Sequence, residues 1–219
     1  MKGTKPAAVF FDLDGTLADT APDLTLALNR LLAERGRPTV ELAATRLHTS
    51  SGARGMIGAG FGFTPDHPEF PMLRDRFLEL YQDGLCVHTT LFPEIDALLD
   101  RLESNDLPWG IVTNKAMRFT DPLVKLLGLD ERAACVVSGD TTARAKPHPD
   151  SLLHAATVAN VAPSACWYVG DDLRDVQAAH AAGMRAVAVR YGYLGDGLPP
   201  ERWGADALID APLELLDLL

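Results

Sequence analysis

Two aspartates, Asp12 and Asp14, close the apolar run Ala7 to Phe11 and stand just before Gly15. On extended backbone, residues i and i+2 point to the same side. Two carboxylates placed this way repel each other unless a cation or a proton relieves them. The pair therefore reads as a metal site at a strand end, with one carboxylate available for covalent chemistry and the other for proton transfer. Asp-x-Asp alone is also what a solvated turn after a strand looks like, so the choice depends on what else the chain brings.

A second acidic group lies far along the sequence. Gly170-Asp-Asp-Leu-Arg-Asp175 carries three acids in six residues at another strand-to-helix turn. An oxygen-rich set of this kind suits a hard divalent cation such as Mg2+. Asp175 falls one helical turn after Asp171 and can face the same side. The helix macrodipole favours acids in a first turn, which accounts for one or two of the three. Thr113-Asn114 offers a hydroxyl and backbone N–H groups at a helix start, a cradle for an anion and equally a simple N-cap with Asn114 as the capping residue. Lys146 precedes Pro147, which restricts it to extended geometry. It could neutralise developing negative charge or be a surface lysine. His148 and His154 read as surface or packing residues.

These side chains need elements to hold them. Ala7–Phe11, a run within Leu107–Thr113, Ala134–Ser138, Ala165–Val169, Arg185–Val189 and, more weakly, Asp206–Ile209 read as buried strands. Helical spacing over Pro93–Glu103, Lys115–Leu127, Pro149–Asn160 and Leu173–Ala182 separates them. The alternation predicts an α/β fold, a doubly wound, Rossmann-like parallel sheet. Residues 19–88 break it, with helical patterns over Pro22–Arg35 and Met72–Gln82 and no convincing strand. The glycine-dense stretch from Ser50 to Phe63 is expected to be too flexible for one long helix. The expected organisation is a core of residues 1–18 and 89–219, with a helical domain of residues 19–88 inserted after the first strand. Linkers fall near Leu17–Ala21 and Val87–Phe92.

The string Asp12-Leu-Asp-Gly-Thr-Leu17, followed in order by Thr113, by Lys146-Pro147 and by Gly170-Asp-Asp172, resembles the motifs of the haloacid dehalogenase-like hydrolases over the whole chain. Most of these are phosphatases, and the chain looks most similar to the phosphoglycolate phosphatase branch. Trp109-Gly-Ile-Val-Thr-Asn-Lys115, Val169-Gly-Asp-Asp-Leu-Arg-Asp175 and Arg190-Tyr-Gly-Tyr193 are also similar to a branch that dephosphorylates N-acetylmuramic acid 6-phosphate. The resemblance implies a Mg2+-dependent phosphomonoesterase in which Asp12 attacks phosphorus and Asp14 exchanges the proton. It further implies Thr113 and Lys146 on the phosphoryl group, and Asp171, the Asp12 carboxylate and the Asp14 backbone carbonyl on the metal, with Asp172 and Asp175 behind them. Asp172 departs from the serine often found at its position. The inserted helices would be a cap that sets specificity. In it, Gly52-Ala-Arg-Gly55 reads as a loop from which Arg54 could pair with a substrate carboxylate or second phosphate. β-Phosphoglucomutases share the first motif and a similar cap. A phospho-accepting signalling module also gathers acids, a hydroxyl and a lysine at strand ends, but needs neither Asp14 nor the insertion. The acids also suit phosphate rather than halide departure.

Composition sets the outer limits. The chain has 219 residues and a net charge of −10, which disfavours nucleic acid or an anionic membrane as partner. A small phosphorylated metabolite then needs local positive charge, and Lys115, Arg118, Arg144, Lys146 and Arg174 all follow strand ends. No stretch approaches the roughly 20 apolar residues of a membrane helix. The polar stretch Met1–Pro6 is unlike a secretory signal, so a cytoplasmic location is expected. The three cysteines show neither zinc spacing nor a disulfide framework and are expected to be free thiols.

Overall fold

In the computed structural model, which describes residues 5–195 and 197–219, β1 (Ala8–Phe11) is buried along its whole length. The early part of the polar stretch Met1–Pro6 lies outside the described residues. Ala8 and Phe10 enter one apolar cluster, Val9 and Phe11 the other, as a period of two requires. Along the chain follow β2 (Ala18–Asp19), α1 (Ala21–Glu34), α2 (Leu42–Thr45), α3 (Gly52–Phe61), α4 (Phe70–Asp83), β3 (Thr90–Leu91), α5 (Ile95–Glu103) and β4 (Trp109–Val112). The second half adds α6 (Met117–Leu126), β5 (Val136–Val137), α7 (Asp150–Val158), β6 (Cys166–Gly170), α8 (Leu173–Ala181), β7 (Arg185–Val189) and β8 (Ala207–Ile209).

Six strands form one parallel sheet in the order β5-β4-β1-β6-β7-β8. The α/β reading holds, and each expected strand is present. β7 has the expected bounds, and β5 shrinks to Val136–Val137. Helices α5 and α6 cover one face, α7 and α8 the other. The chain adds strands to one side of β1 and then crosses to the other. β1 therefore sits at the topological switch point, where open α/β sheets bind ligands beyond the strand ends. No helix among the described residues is long and apolar enough to cross a membrane. Cys135 and Cys166 are buried and Cys86 partly so, all three as free thiols.

Between β2 and β3 the helices α1, α3 and α4 bury a third cluster, including Leu28, Leu31, Met56, Ile57, Leu73 and Phe77, to which Phe119 of α6 also contributes. Here one expectation fails. The glycine-dense stretch contains the ten-residue helix α3, closed by Gly62 at φ +71°. Glycine inside a helix costs about 1 kcal/mol relative to alanine, but two of these glycines permit contact. A Cβ at Gly55 would run into the His48 carbonyl, and one at Gly60 would press on Leu28 of α1 at 2.7 Å. Burial of Met56 and Ile57, about 1.5–3 kcal/mol each, offsets the propensity.

The two linkers are joined. β2 and β3 pair antiparallel, Ala18 with Leu91 and Asp19 with Thr90, an element too short to show in sequence. Next to it the buried carboxylate of Asp23, in the first turn of α1, accepts the N–H groups of His88 and Thr89 and the Thr89 hydroxyl at 2.7–3.1 Å. Asp23→Ala strands these donors and is expected to cost about 1–3 kcal/mol of stability. Urea denaturation measures it, and an unchanged midpoint would mean that water replaces the carboxylate at no cost.

Candidate active site

The ends of β1, β4 and β6 converge with the loop before α7. Asp12, directly after β1, accepts the Leu13 N–H at Oδ1 (2.8 Å). The buried Lys146 ammonium lies 3.0 Å from the same oxygen and 2.8 Å from Asp175 Oδ1. It also reaches the Tyr168 hydroxyl (2.7 Å) and the Val112 carbonyl (3.1 Å). Burial alone would discharge this lysine, but Asp12 and Asp175 outweigh it and hold its pKa above the ordinary range. Asp12 Oδ2 keeps no protein partner among the described residues.

Asp171 follows β6 and is fully buried. Its oxygens accept the Thr16 hydroxyl (3.1 Å) and the Tyr193 N–H (2.9 Å). Gly15, at φ +87°, permits this approach, since a Cβ there would collide with the Asp171 carboxylate. Burial, then Asp12 and Asp175, raises the Asp171 pKa well above the carboxylate range. Oxygens of Asp12, Asp171 and Asp175 all lie within 4.8 Å of one another. Asp171 has no cationic partner among the described residues, so the group is short of positive charge. A hard divalent cation fits it.

The other acids have separate tasks. Asp14 Oδ1 takes the Thr20 hydroxyl and the Lys115 ammonium (2.8 Å), so its side chain is not one of the three clustered carboxylates. Asp175 offers Oδ1 to Lys146 and accepts the Asp172 N–H at Oδ2 (3.0 Å). Burial raises its pKa to about 7 against the lowering effect of Lys146. Asp172 caps α8, accepting the Arg174 N–H (2.8 Å), and pairs with the Arg174 guanidinium at 2.8 Å. That guanidinium donates in turn to the Ser50 carbonyl of the helical insertion (2.7 Å).

Thr113 is buried after β4. Its hydroxyl oxygen accepts the Lys115 N–H (3.1 Å), leaving its proton to donate. Asn114 does not cap α6. That helix starts after Ala116, and Asp140 accepts the Met117 N–H (2.8 Å). The Asn114 amide instead brackets Lys146, accepting its N–H (2.9 Å) and donating to its carbonyl (3.0 Å). A cavity of about 350 Å3 lies between the sheet edge and the insertion, bounded by Asp12, Asp14, Thr113, Asn114 and Lys146 on one side and by Leu24, Phe77 and Tyr81 on the other. The fully buried Asp171 is not among its lining residues. Arg54 is not brought there. It lies exposed on α3 rather than in a loop, outside the cavity lining. Arg144 is likewise remote, paired with Asp150 at 2.8 Å, whereas Lys115, Arg118 and Arg174 do line the cavity.

The sequence model described as haloacid dehalogenase-like hydrolase matches residues 9–189. The chain belongs to this family. It is 45% identical over 95% of its length to an N-acetylmuramic acid 6-phosphate phosphatase of Pseudomonas putida, covering 93% of that protein. It is 44% identical over 96% of its length to a phosphoglycolate phosphatase of Xanthomonas campestris, covering 95% of it. A crystal structure of a predicted phosphoglycolate phosphatase from Haemophilus somnus superposes with a TM-score of 0.86 at 26% identity, over 98% of both chains. Within this haloacid dehalogenase-like family the chain is a phosphoric monoester hydrolase.

Several supporting residues of this hydrolase carry no sequence signal. Thr20 and Tyr168 look like ordinary core or turn positions. Tyr193 lies in a string noted only for its resemblance, yet its hydroxyl accepts the N–H groups of Thr20 (2.7 Å) and Ala21 (2.9 Å) and donates to Asp19 (2.9 Å).

Proposed function

We propose that the protein is a Mg2+-dependent phosphomonoesterase working through an aspartyl-phosphate on Asp12, with a small phosphorylated metabolite carrying a carboxylate as substrate. The observation that carries this reading is Asp12 held by Lys146 beside Asp171, with Asp14 anchored separately two residues on. An Asp12 oxygen attacks phosphorus, the ester P–O bond breaks, and Asp14 gives the leaving oxygen its proton. Asp14 then takes a proton from the water that attacks the phosphorus of the aspartyl-phosphate. Phosphate leaves and Asp12 is regenerated. Lys115 and Thr20 fix the Asp14 carboxyl for both transfers. Lys146 and the Thr113 hydroxyl offset charge on the phosphoryl oxygens. Mg2+, held by Asp12, Asp171 and the Asp14 backbone carbonyl with Asp175 behind them, would neutralise the carboxylates and draw charge from the phosphoryl group.

Residues 19–88 serve in this reading as a cap that excludes water in the first step. Phosphoglycolate and N-acetylmuramic acid 6-phosphate, named for the two relatives, both combine a phosphate with a carboxylate. The test is hydrolysis of p-nitrophenyl phosphate with Mg2+. Many turnovers, lost on chelation and restored by Mg2+, are expected. A single phosphorylation with slow decay would instead mark a phospho-accepting switch.

A further inference from the structure

Four cations line the cavity, and three are matched by carboxylates of the protein: Lys115 by Asp14, Lys146 by Asp12 and Asp175, and Arg174 by Asp172. The fourth, Arg118 in the first turn of α6, has no carboxylate partner and no hydrogen bond among the described residues. Its guanidinium lies over the Phe119 ring, 4.6 Å from the centroid. On the other side of Phe119, the Tyr81 ring of α4 packs 5.5 Å from the Phe119 ring, with the Lys115 ammonium 4.9 Å from its own centroid; Tyr81 is 2% exposed, and its hydroxyl has no hydrogen-bond partner among the described residues. Burial pushes that phenol up to about 12, so it is a neutral donor without an acceptor. A buried donor left this way is costly unless a ligand supplies the acceptor.

Between these two groups the wall is apolar, with Leu24, Phe77 and Phe119. A two-carbon phosphoacid has a single methylene to set against it and leaves much of about 350 Å3 empty. Pockets of a few hundred Å3 with mostly apolar walls and few polar groups fix larger ligands by those groups.

We infer that Arg118 and Tyr81 form a distal recognition subsite selecting a phosphorylated organic acid of sugar size. The substrate carboxylate pairs with Arg118, an oxygen of its body accepts from Tyr81, and its apolar face lies on Phe77 and Phe119. This rests on the phosphomonoesterase reading and adds to it which end of the substrate decides specificity. Arg54, exposed on α3 and outside the cavity lining, takes no part.

The test compares N-acetylmuramic acid 6-phosphate with N-acetylglucosamine 6-phosphate, which lacks only the lactyl ether and its carboxylate. With Mg2+, kcat/KM for the carboxylated sugar is expected to exceed that for the other by at least about tenfold, and to exceed that for 2-phosphoglycolate. Arg118→Gln should collapse the ratio between the sugars toward one, and Arg118→Lys should restore part of it. Tyr81→Phe should lower kcat/KM for N-acetylglucosamine 6-phosphate relative to p-nitrophenyl phosphate. A wild-type ratio near one, a ratio unmoved by Arg118→Gln, or a preference for 2-phosphoglycolate overturns the subsite and leaves the phosphatase standing. Failure of the wild type to turn over p-nitrophenyl phosphate removes both.

Discussion

Asp12→Asn is expected to lower kcat by at least about 10⁴-fold, as removal of a covalent nucleophile does elsewhere, with the wild-type fold retained. Asparagine keeps the shape and the acceptor for the Leu13 N–H, but its amide oxygen is a poor nucleophile. Lys146 stays charged against Asp175 at 2.8 Å, and one of three crowded carboxylates is neutralised, so unfolding is not the expected route to inactivity. Turnover of p-nitrophenyl phosphate together with thermal unfolding separates the two effects. Residual activity within a hundredfold of wild type at an unchanged unfolding temperature would rule out phosphoryl transfer to Asp12.

The second large effect is expected at Lys146. Lys146→Met keeps the length of the side chain and removes the ammonium that faces Asp12 and Asp175. Breaking a buried pair from one side costs about 3–5 kcal/mol, and loss of a charge aimed at the phosphoryl oxygens costs about a further 10²–10³-fold in kcat. The stability loss has a definite pH dependence. Asp175 already has a native pKa of about 7, and without the lysine it moves higher still. A carboxyl whose native pKa lies above its unfolded value favours folding while protonated, and that contribution is lost as pH rises through the native pKa. Urea denaturation in metal-free buffer should therefore show the variant falling further below wild type at pH 8 than at pH 5. An equal deficit at both would mean that the loss is packing and not charge.

The legible parts of the molecule were those written in periodicity and in clustered charge. Buried parallel strands are apolar throughout, so β1, β4 and β6 stood out, and the polar groups at their ends, carboxylates after β1 and β6 and Thr113 after β4, followed from chain direction alone. Hidden features depended on a partner far along the sequence. The glycines of α3 look like helix breakers until Leu28 and the His48 carbonyl are seen pressing on them. That error also misplaced Arg54, taken as a loop residue and found on an exposed helical face. Asn114 has the composition of a cap, yet its amide serves the backbone of Lys146, 32 residues away. Tyr81 falls on the apolar stripe of α4, and nothing in that stripe distinguishes a buried hydroxyl left without a partner from one that is paired. Asp23 reads as an ordinary first-turn acid, because its partners at His88 and Thr89 belong to the other linker.

The pairing of Ala18 with Leu91 and of Asp19 with Thr90 has a mechanical consequence. Two separate tethers would let the helices slide and twist as well as tilt. In the proposed cap reading, strands zipped together and clamped at Asp23 would act as one axle. A swing about it would part Arg174 from the Ser50 carbonyl and Tyr81 from Phe119 while leaving the ribbon intact, so product would leave along a single arc.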